Sequence, residues 1–587
     1  MGFVKPVLPD FDYDEWRARP RAERVRSLVV HWGSVGFGTP DSVYVLYILK
    51  IVGYIAAAVF FASLTPGLGG FGNVAHWWTQ PIVYEKVVLW TLLFEVLGLG
   101  CGFGPLTLRF LPPLGSFLYW LRPGTIRLPP WPDKVPGTRG TTRTPLDVLL
   151  YVAVLATAVW ALLAPGTRGL GGLHGTVGLI EPARLLPLLI LLPLTGLRDK
   201  TIFLAARAEV YGTMTVVFLL PGTDLIFTAK LVLLVLWWGA ATSKLNRHFP
   251  HVVSVMMSND PLLRPKFVKR AFFRKWPDDM RPSALSAGLA HGGTVIEFVV
   301  PLLLVLSRGG ALTIVAATIM VLFHLNILTS IPLGVPLEWN VFMIFSVLFL
   351  MVHYAAIGPA DVTQPLAVAA ILAVVVATIV TGNLFPAKVS FLPAMRYYAG
   401  NWDTSVWCFK AGAADKLDER LTKAALMPAK QLAKLYGEQV ADILLHKGMA
   451  FRAMHTHGRA LYGLIARLCG PDHESYTPVE GEVVAGIALG WNFGDGHLHN
   501  RQLISAIQER CQFEPGDVRV VVVDAQPFQD QRQHYQLIDA ATGVLEEGYV
   551  AVSDMVANQP WVAEVPVTVV SPAAAAAGLA EPGLAES

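Results

Sequence analysis

Several charged and imidazole side chains lie within stretches of the sequence that are otherwise apolar. An ionisable group inside a membrane-spanning segment is costly unless it is paired or hydrated, so each such residue is a candidate for function. A lysine or histidine held there can transfer protons, and an acid beside it can orient a polar ligand. These residues are Glu95, Arg207, Glu209, Lys230, Lys244, His291, Glu297, His324 and His353, with Asn326 as a neutral polar companion.

Lys244 ends the apolar run LVLLVLWWGAATSKLN at 231–246. One interpretation is structural, because a long lysine side chain can extend to the headgroup region and keep its ammonium in water. The other is catalytic, because a low dielectric disfavours a charged amine and a desolvated lysine can then act as a general base near neutral pH. The sequence leaves both interpretations open.

The histidines of the later spans extend this set. His291 and Glu297 are six positions apart, which places them on neighbouring faces of one helix, nearly two turns apart. His324 and Asn326 are two positions apart and point in different directions. A single membrane histidine more often makes an interhelical hydrogen bond than catalyses a reaction. Because three such groups occur together, we predict that Lys244, His291 and His324 are catalytic, and that Glu297 and Asn326 bind a substrate.

Arg207 and Glu209 form a second polar group inside an apolar run. The structural interpretation is that they neutralise each other, and the functional one is that they also contact a substrate. Lys230 and Glu95 have the same structural explanation, by pairing or by extending to the interface. The four cysteines are far apart and show no zinc-binding spacing, so no metal site is predicted.

The composition indicates a membrane protein. Of the 587 residues, 53% are hydrophobic and 15% are charged, whereas soluble domains carry roughly a quarter charged residues. The net charge of +3 is dispersed over the loops, which argues against nucleic acid as a partner. Apolar runs of spanning or near-spanning length lie at 43–64, 87–108, 146–164, 183–197, 202–220, 225–243, 284–306, 311–333, 340–357 and 365–385.

This pattern predicts an all-α polytopic membrane helical bundle of about ten helices, followed by a small α+β soluble C-terminal domain. Lysine and arginine concentrate in alternate loops, so we expect a multi-pass protein of the inner membrane with both termini in the cytoplasm. The expected segments are an N-terminal amphipathic segment at 1–41, the membrane domain at 42–385, an interfacial connector at 386–412, the soluble domain at 413–570 and a disordered tail at 571–587.

The C-terminal domain has its own pattern of helices and strands. Residues 413–469 are predicted to form amphipathic helices, and 498–510 a further helix. AATG at 540–543 suits a hairpin turn. Strands are predicted at 483–489, 518–524, 534–539 and 544–552.

The loop GWNFGDGHLHN at 490–500 concentrates glycine, aspartate and histidine. It could bind an anion at the start of the following helix, or a metal through His497 and His499. A turn-rich connector is the favoured interpretation, because no third ligand lies at a usual spacing. His455 and His457, on a predicted helix of the same domain, are expected at the surface because they do not share a face.

Four segments of the membrane domain resemble a known family. GAATSKLN at 239–246, LAHGGTVIEF at 289–298 and VLFHLNILTSIPLG at 321–334 resemble successive membrane motifs of the vitamin K-dependent γ-glutamyl carboxylase family, which shares a domain with horizontally transferred transmembrane proteins of bacteria. RDKTIFLAARAEVYG at 198–212 is similar to an earlier tract of that family. The resemblance covers roughly 195–350 and depends on the order of the four segments.

The resemblance implies a membrane enzyme that oxidises a reduced quinone with oxygen and uses the basic product to remove a carbon-bound proton, after which carbon dioxide adds. Lys244 then occupies the place of the family's catalytic lysine and accepts the quinol proton. His291, His324 and Glu297 match family positions and are expected to orient the quinone. Arg207 stands where the carboxylases have a histidine, which is a departure from the family pattern.

Two functions follow as hypotheses of equal weight. The first is a quinol-linked membrane enzyme with Lys244 as its base and a menaquinol-like quinone as its cofactor. The second is a non-catalytic membrane component that binds lipid or quinone and recruits a protein partner through its C-terminal domain. The chain also resembles uncharacterised bacterial membrane proteins, which imply no activity. Whether the protein is an enzyme is therefore left open by the sequence.

Overall fold

The computed structural model describes residues 2–100, 115–132, 134–330 and 337–572. Within these ranges, six helices are long and apolar enough to cross a membrane. They are Asp41–Ser63, Pro145–Leu162, Gly222–Ser243, Ala284–Leu306, Gly310–Ser330 and Pro365–Leu384. The protein is thus a helical membrane protein, as the sequence predicted, and the expected disordered tail lies almost wholly outside the described residues.

The other apolar runs form shorter or interrupted helices, so the predicted count of about ten membrane helices is not confirmed. In Pro81–Val96, every residue except Val87 is buried by the rest of the protein. The shorter helices have 5–17 residues, whereas a span needs about 20, which explains the difference in number. These helices are Pro81–Val96, Pro182–Arg198, Lys200–Ala205, Ala208–Gly212, Thr213–Val217, Leu337–Ser346 and Val347–His353.

Two of the interrupted helices contain π-helical turns, Ala208–Gly212 and Val347–His353. Before the first, Arg207 has a left-handed backbone with φ 52°, a conformation that is uncommon for a residue other than glycine. Such interruptions occur often at functional sites. The break therefore places Arg207 and Glu209 inside the bundle on irregular backbone.

The spanning helices differ in how much of their surface the protein covers. In the most apolar window of Gly222–Ser243, 78% of the residues are buried, against 22% in those of Asp41–Ser63 and Pro365–Leu384. The first is therefore a central helix, and the other two present most of their surface to lipid. Gly222–Ser243 packs against Ala284–Leu306 and Pro365–Leu384, and Lys244 follows its last turn.

Short elements connect and flank the spans. Antiparallel strand pairs form between Gly166–Arg168 and Leu179–Ile180, and between Phe273–Lys275 and Asp279–Pro282. The short helices are Tyr13–Arg17, Arg21–Val35, Phe71–Asn73, Val74–Trp77, Phe117–Trp120, Phe249–Asn259, Lys266–Arg270 and Pro359–Asp361.

The C-terminal region contains one antiparallel sheet of six strands. The strand Thr404–Phe409, next to the edge strand Thr477–Glu480, is buried at every residue, and Val406 lies opposite both Glu480 and Val521. It lies within the segment that was expected to be an interfacial connector. The strands, in spatial order, are Thr568–Pro572, Gly543–Ala551, Arg532–Asp539, Val518–Val523, Thr404–Phe409 and Thr477–Glu480.

Helices cover this sheet, which gives the predicted combination of helices and strands. The strand predicted at 483–489 is wrong, because Gly481–Leu489 is a helix in which every residue is buried. A short apolar run that is buried on all sides shows neither helical nor strand periodicity. The helices of the region are Ala413–Arg420, Pro428–Tyr436, Glu438–Met454, Thr456–Gly463, Ile465–Cys469, His473–Ser475, Gly481–Leu489, Gly496–Leu498, Arg501–Cys511 and Val552–Ala557.

Hydrogen bonds attach the C-terminal sheet domain to the membrane bundle. The Tyr119 hydroxyl donates to the carbonyl of Ala488 over 2.7 Å, and the Trp120 indole donates to that of Leu489 over 2.8 Å. The expectation that His455 and His457 lie at the surface is wrong, because both are fully buried. They lie where this domain meets the membrane helices, a contact that the local pattern of one helix does not reveal.

Candidate functional site

Lys244 forms an ion pair with Glu297. Its ammonium nitrogen lies 2.5 and 2.6 Å from the two carboxylate oxygens. Lys244 is 8% exposed and Glu297 is 4% exposed, and they belong to the neighbouring helices Gly222–Ser243 and Ala284–Leu306. The nitrogen thus faces a carboxylate, and the simple structural interpretation, in which the lysine extends into water, does not describe it. A lysine base here would have to act from within this pair.

His324 is held by hydrogen bonds on both sides of its ring. The Trp237 indole donates to Nε2 over 3.2 Å, and Nδ1 lies 3.0 Å from the side-chain oxygen of Asn340. These partners indicate a neutral ring that carries its proton on Nδ1, an assignment made from the hydrogen-bond network. With both nitrogens occupied, His324 joins two helices in the manner usual for a membrane histidine.

The structure does not gather the three predicted catalytic residues into one set of contacts. His291 and Asn326 are exposed on their helices. His291 lines a cavity that begins beside Lys244, at Ser243 and Leu245. Their roles in catalysis or in substrate or quinone binding stay predictions, as does that of Lys244.

Arg207 and Glu209 pair with each other, as the structural interpretation expected. The Arg207 Nε atom lies 2.7 Å from a Glu209 oxygen, and the Tyr397 hydroxyl donates to the same oxygen over 3.2 Å. The guanidinium also lies over the rings of Trp339, at 4.7 Å, and Phe493, at 5.5 Å. This group therefore joins the membrane bundle to the C-terminal sheet domain.

Lys230 has a structural role as well. Its ammonium donates to the backbone carbonyls of Tyr354 over 2.6 Å and Ile357 over 2.8 Å. Carbonyls at the end of a helix have no intrahelical partner, so the lysine caps the interrupted helix that ends at His353.

The loop at 490–500 docks onto the membrane bundle. The Asp495 carboxylate accepts the backbone N–H of His497 over 3.0 Å, and the His497 ring contacts the carbonyl of Pro386 over 2.8 Å. The His499 Nδ1 atom lies 2.6 Å from the Ser405 hydroxyl. Burial raises the pKa of the Asp495 carboxyl to about 7. These contacts match the favoured interpretation of a connector, since the histidines already have protein partners.

Two adjoining cavities open where the membrane bundle meets the C-terminal sheet domain. Their volumes are about 320 and 270 Å³, and they share Asn383 and Phe528 in their walls. We call the pair the junction cavity. Most of the residues that line the first part are of polar types, and they are Ser243, Leu245, Asn246, Arg247, His291, Asn383, Arg396, Asn401, Gln526, Phe528, Gln529, Gln531 and Val552. The second is mostly apolar and is lined by Val235, Trp238, Gly239, Thr242, Val376, Ile379, Val380, Asn383, Leu384 and Phe528.

Arg396 is the buried charge of the junction cavity. It is 2% exposed, and its Nη2 atom donates to the carbonyls of Gln526 over 2.7 Å and Asn401 over 3.3 Å. Its Nε and Nη1 atoms have no hydrogen-bond partner within the described ranges. The described residues that line the cavity include no aspartate or glutamate. Burial without a countercharge lowers the pKa of the guanidinium to about 10, so an anion placed here would be stabilised.

Other polar groups converge on the same place. The side-chain oxygen of Asn401, a residue that is itself buried, has no partner among the described atoms. Arg247 and His291 are more exposed and line the polar part as well. Arg396 was not predicted as a site residue from the sequence, because a cation just after the last span resembles an ordinary loop residue. The signal that could have found it is the lack of an acidic residue nearby in LPAMRYYAGN at 392–401.

These features together describe a polytopic helical membrane protein with a sheet domain docked on its bundle. A model of the family described as transmembrane protein of unknown function (DUF3556) matches residues 1–570, and the chain belongs to this family. No curated protein and no solved structure matches the chain. The comparisons provide no support for a relationship to the γ-glutamyl carboxylases.

Proposed function

We propose that this membrane protein binds an anionic amphiphile of the bilayer in the junction cavity. The observation that carries the proposal is Arg396, a buried guanidinium that, among the described residues, has two unoccupied donor nitrogens and no carboxylate in the surrounding wall. Guanidinium N–H groups are strong donors to phosphate and carboxylate oxygens. Such a group at Arg396 would accept a hydrogen bond from Nη1 or Nε and supply the missing charge.

The apolar part of the junction cavity suits the tail of the same molecule. It runs between the helices Gly222–Ser243 and Pro365–Leu384, of which the second presents most of its surface to lipid. A hydrocarbon chain there would continue directly into the bilayer. A polar chamber joined to an apolar groove therefore selects a molecule with a charged head and an apolar tail over a small soluble anion.

Orientation in the membrane is part of the proposal. The basic loops favour an inner-membrane protein with cytoplasmic termini. The junction cavity, which lies beside the C-terminal sheet domain, would then face the cytoplasmic leaflet. Anionic lipids give that leaflet its negative surface potential, so suitable ligands are abundant there.

A quinol-linked enzyme is the second candidate, and one observation favours it. The Lys244–Glu297 ion pair lies next to residues that line the junction cavity, and a quinone is also an amphiphile with a polar head. A neutral quinone gives Arg396 no countercharge, which is why we rank lipid binding first. We also propose that the C-terminal sheet domain recruits a protein partner, which is compatible with either function.

The experiment compares Arg396→Met with the wild-type chain in nanodiscs that contain labelled phosphatidylglycerol in a phosphatidylcholine background. Removal of the guanidinium is expected to lower the amount of retained phosphatidylglycerol about tenfold or more, because hydrogen bonds to charged groups contribute roughly 1.5–3 kcal/mol. Mass spectrometry of lipids retained after detergent extraction gives the measurement. Arg264→Met is the matched control, because Arg264 is exposed and lies outside the cavity wall.

Three outcomes decide between the candidates. Selective loss of phosphatidylglycerol in Arg396→Met, with Arg264→Met unchanged, supports lipid binding. Equal retention in all three chains contradicts it. A stoichiometric menaquinone in the wild-type extract, without bound anionic lipid, would favour the quinol-linked enzyme.

A further inference from the structure

A second cavity lies between the N-terminal helices and the C-terminal sheet domain. Its volume is about 470 Å³, within the range of roughly 300–1,000 Å³ that is usual for small organic ligands. We call it the N-terminal cavity. Much of its wall is apolar, including Phe37, Phe409, Met427, Leu432, Leu444 and Met449.

Arg24 is the buried cation of the N-terminal cavity. It is 5% exposed, and its nearest acid is Glu474, whose oxygen lies 3.4 Å from Nη2. The Nε and Nη1 atoms have no partner in the part of the chain that the structure describes. Two donor nitrogens of Arg24 are thus buried beside a largely apolar space without an acceptor among the described residues.

Arg21 makes the local charge more positive. Its side chain donates to the carbonyls of His473 over 2.8 Å and Tyr476 over 3.0 Å, so its own charge has no carboxylate beside the guanidinium. Glu474 accepts the backbone N–H of Arg21 over 3.0 Å in addition to its contact with Arg24. Glu474 is thus shared by the Arg24 side chain and the Arg21 backbone, while backbone carbonyls hold the Arg21 guanidinium, which leaves an excess positive charge at this end of the cavity.

Other ionic groups in the wall are paired or exposed. Arg452 lies 3.0 Å from Glu480 and also contacts Glu482. Arg17 lies 3.3 Å from Asp442, and Lys410 and Asp415 are exposed. Among the buried guanidinium groups of the described wall, Arg24 is therefore the one with unoccupied donor nitrogens.

We propose that the N-terminal cavity binds a long-chain carboxylate, with the carboxylate at Arg24 and the hydrocarbon chain against the apolar wall. A carboxylate supplies one negative charge and an oxygen that can accept a hydrogen bond from Nη1 or Nε of the guanidinium. Pro40 and Val43 also line the cavity, and Val43 lies in the first turn of the spanning helix Asp41–Ser63. The cavity thus reaches the membrane surface, where such an acid would be dissolved. This site is separate from the junction cavity and does not depend on it.

The test uses the full-length protein in nanodiscs and a palmitate analogue with a photoreactive diazirine near the end of its chain. Illumination is expected to attach the probe to residues of the cavity wall, as mapped by peptide mass spectrometry. Unlabelled palmitate should compete with the probe, whereas hexadecanol, which has the same chain without the charge, should compete at least about tenfold less well. Lysophosphatidylglycerol tests whether a phospholipid headgroup is the preferred anion.

Variants test the role of Arg24. Arg24→Met should reduce labelling at least about tenfold, because the carboxylate loses its partner. Arg19→Met removes an exposed arginine of the same segment and should leave labelling unchanged. If Arg24→Met does not fold, the comparison of palmitate with hexadecanol on the wild-type chain still shows whether the cavity requires a carboxylate. Equal competition by the two, labelling outside the wall, or preference for lysophosphatidylglycerol would overturn the proposal.

Discussion

Replacing Glu297 with alanine is expected to destabilise the membrane bundle by about 3–5 kcal/mol, because removal of one partner of a buried ion pair leaves the other charge uncompensated. The charge left behind is the ammonium of Lys244, which is now 2.5 Å from its carboxylate and almost fully covered. Tryptophan fluorescence during thermal unfolding in detergent micelles measures the effect.

The control is the double variant Lys244→Met/Glu297→Leu. Replacing both charges with apolar side chains of similar size is often neutral or stabilising, so this variant should unfold close to the wild-type temperature. If Glu297→Ala is as stable as the double variant, the ion pair contributes little to the free energy of unfolding. The double variant also tests the quinol hypothesis, because it removes Lys244 without leaving Glu297 unpaired. Loss of activity in Lys244→Ala alone could come from the missing base or from a bundle disturbed by the unpaired Glu297.

Lowering the pH from 7 to 5 is expected to destabilise the C-terminal sheet domain and its contact with the bundle. Burial lowers the pKa of His248 and His497 to about 4, and of His455 and His499 to about 3. The unfolded chain binds protons below its ordinary histidine pKa of about 6.5, whereas the folded chain does not. The stability of the fold is therefore complete above that value and is lost as the pH falls toward the folded pKa.

At pH 5 each of these histidines lowers the free energy of unfolding by about 2 kcal/mol. Three buried acids act in the opposite direction, because burial raises the pKa of Glu480 and Asp495 to about 7 and that of Asp403 well above its ordinary value, and their protonation relieves a buried charge. Burial also lowers the pKa of His251 and His457 well below its ordinary value, so the histidines outnumber the acids and the net change is a loss. Measurement of the unfolding transition between pH 7 and pH 5 gives the size of the effect.

His455→Phe isolates one contribution. The ring lies among aromatic neighbours, with Phe451 at 4.7 Å and Trp402 at 6.2 Å, so phenylalanine should fit the same space. The difference in stability between pH 7 and pH 5 should shrink by about 2 kcal/mol in this variant. His174→Gln, at an exposed position, should leave the difference unchanged. An unchanged pH response in His455→Phe would refute the assignment.

The sequence predicted the lipid-facing helices well. The span expected at 284–306 is the helix Ala284–Leu306, and that at 365–385 is Pro365–Leu384. An uncharged run of spanning length is a strong signal, because lipid requires every backbone group to be hydrogen-bonded within the segment. Pro81–Val96 gave the same apolar signal, but it has 16 residues, so the predicted count of about ten spans is not confirmed.

The candidate site was predictable only in part. Residue type alone identified Lys244 and Glu297 as notable, but their pairing depends on how two helices pack, which their local patterns do not contain. Arg396 and Arg24 were not singled out, because arginine outside a span is usually a solvated loop residue. What distinguishes them is the absence of a countercharge in three dimensions, and no spacing rule detects that.

The contact between the two ends of the chain has a consequence for biosynthesis. The helix Arg21–Val35 buries Trp32 against Phe451, with the rings 5.5 Å apart, and shares a core with the helix Glu438–Met454. The ribosome makes these partners more than four hundred residues apart. The first amphipathic helix must therefore stay shielded, by the membrane surface or by a chaperone, until almost the whole polypeptide has been translated, and a nascent chain stopped after the last span would leave that face exposed.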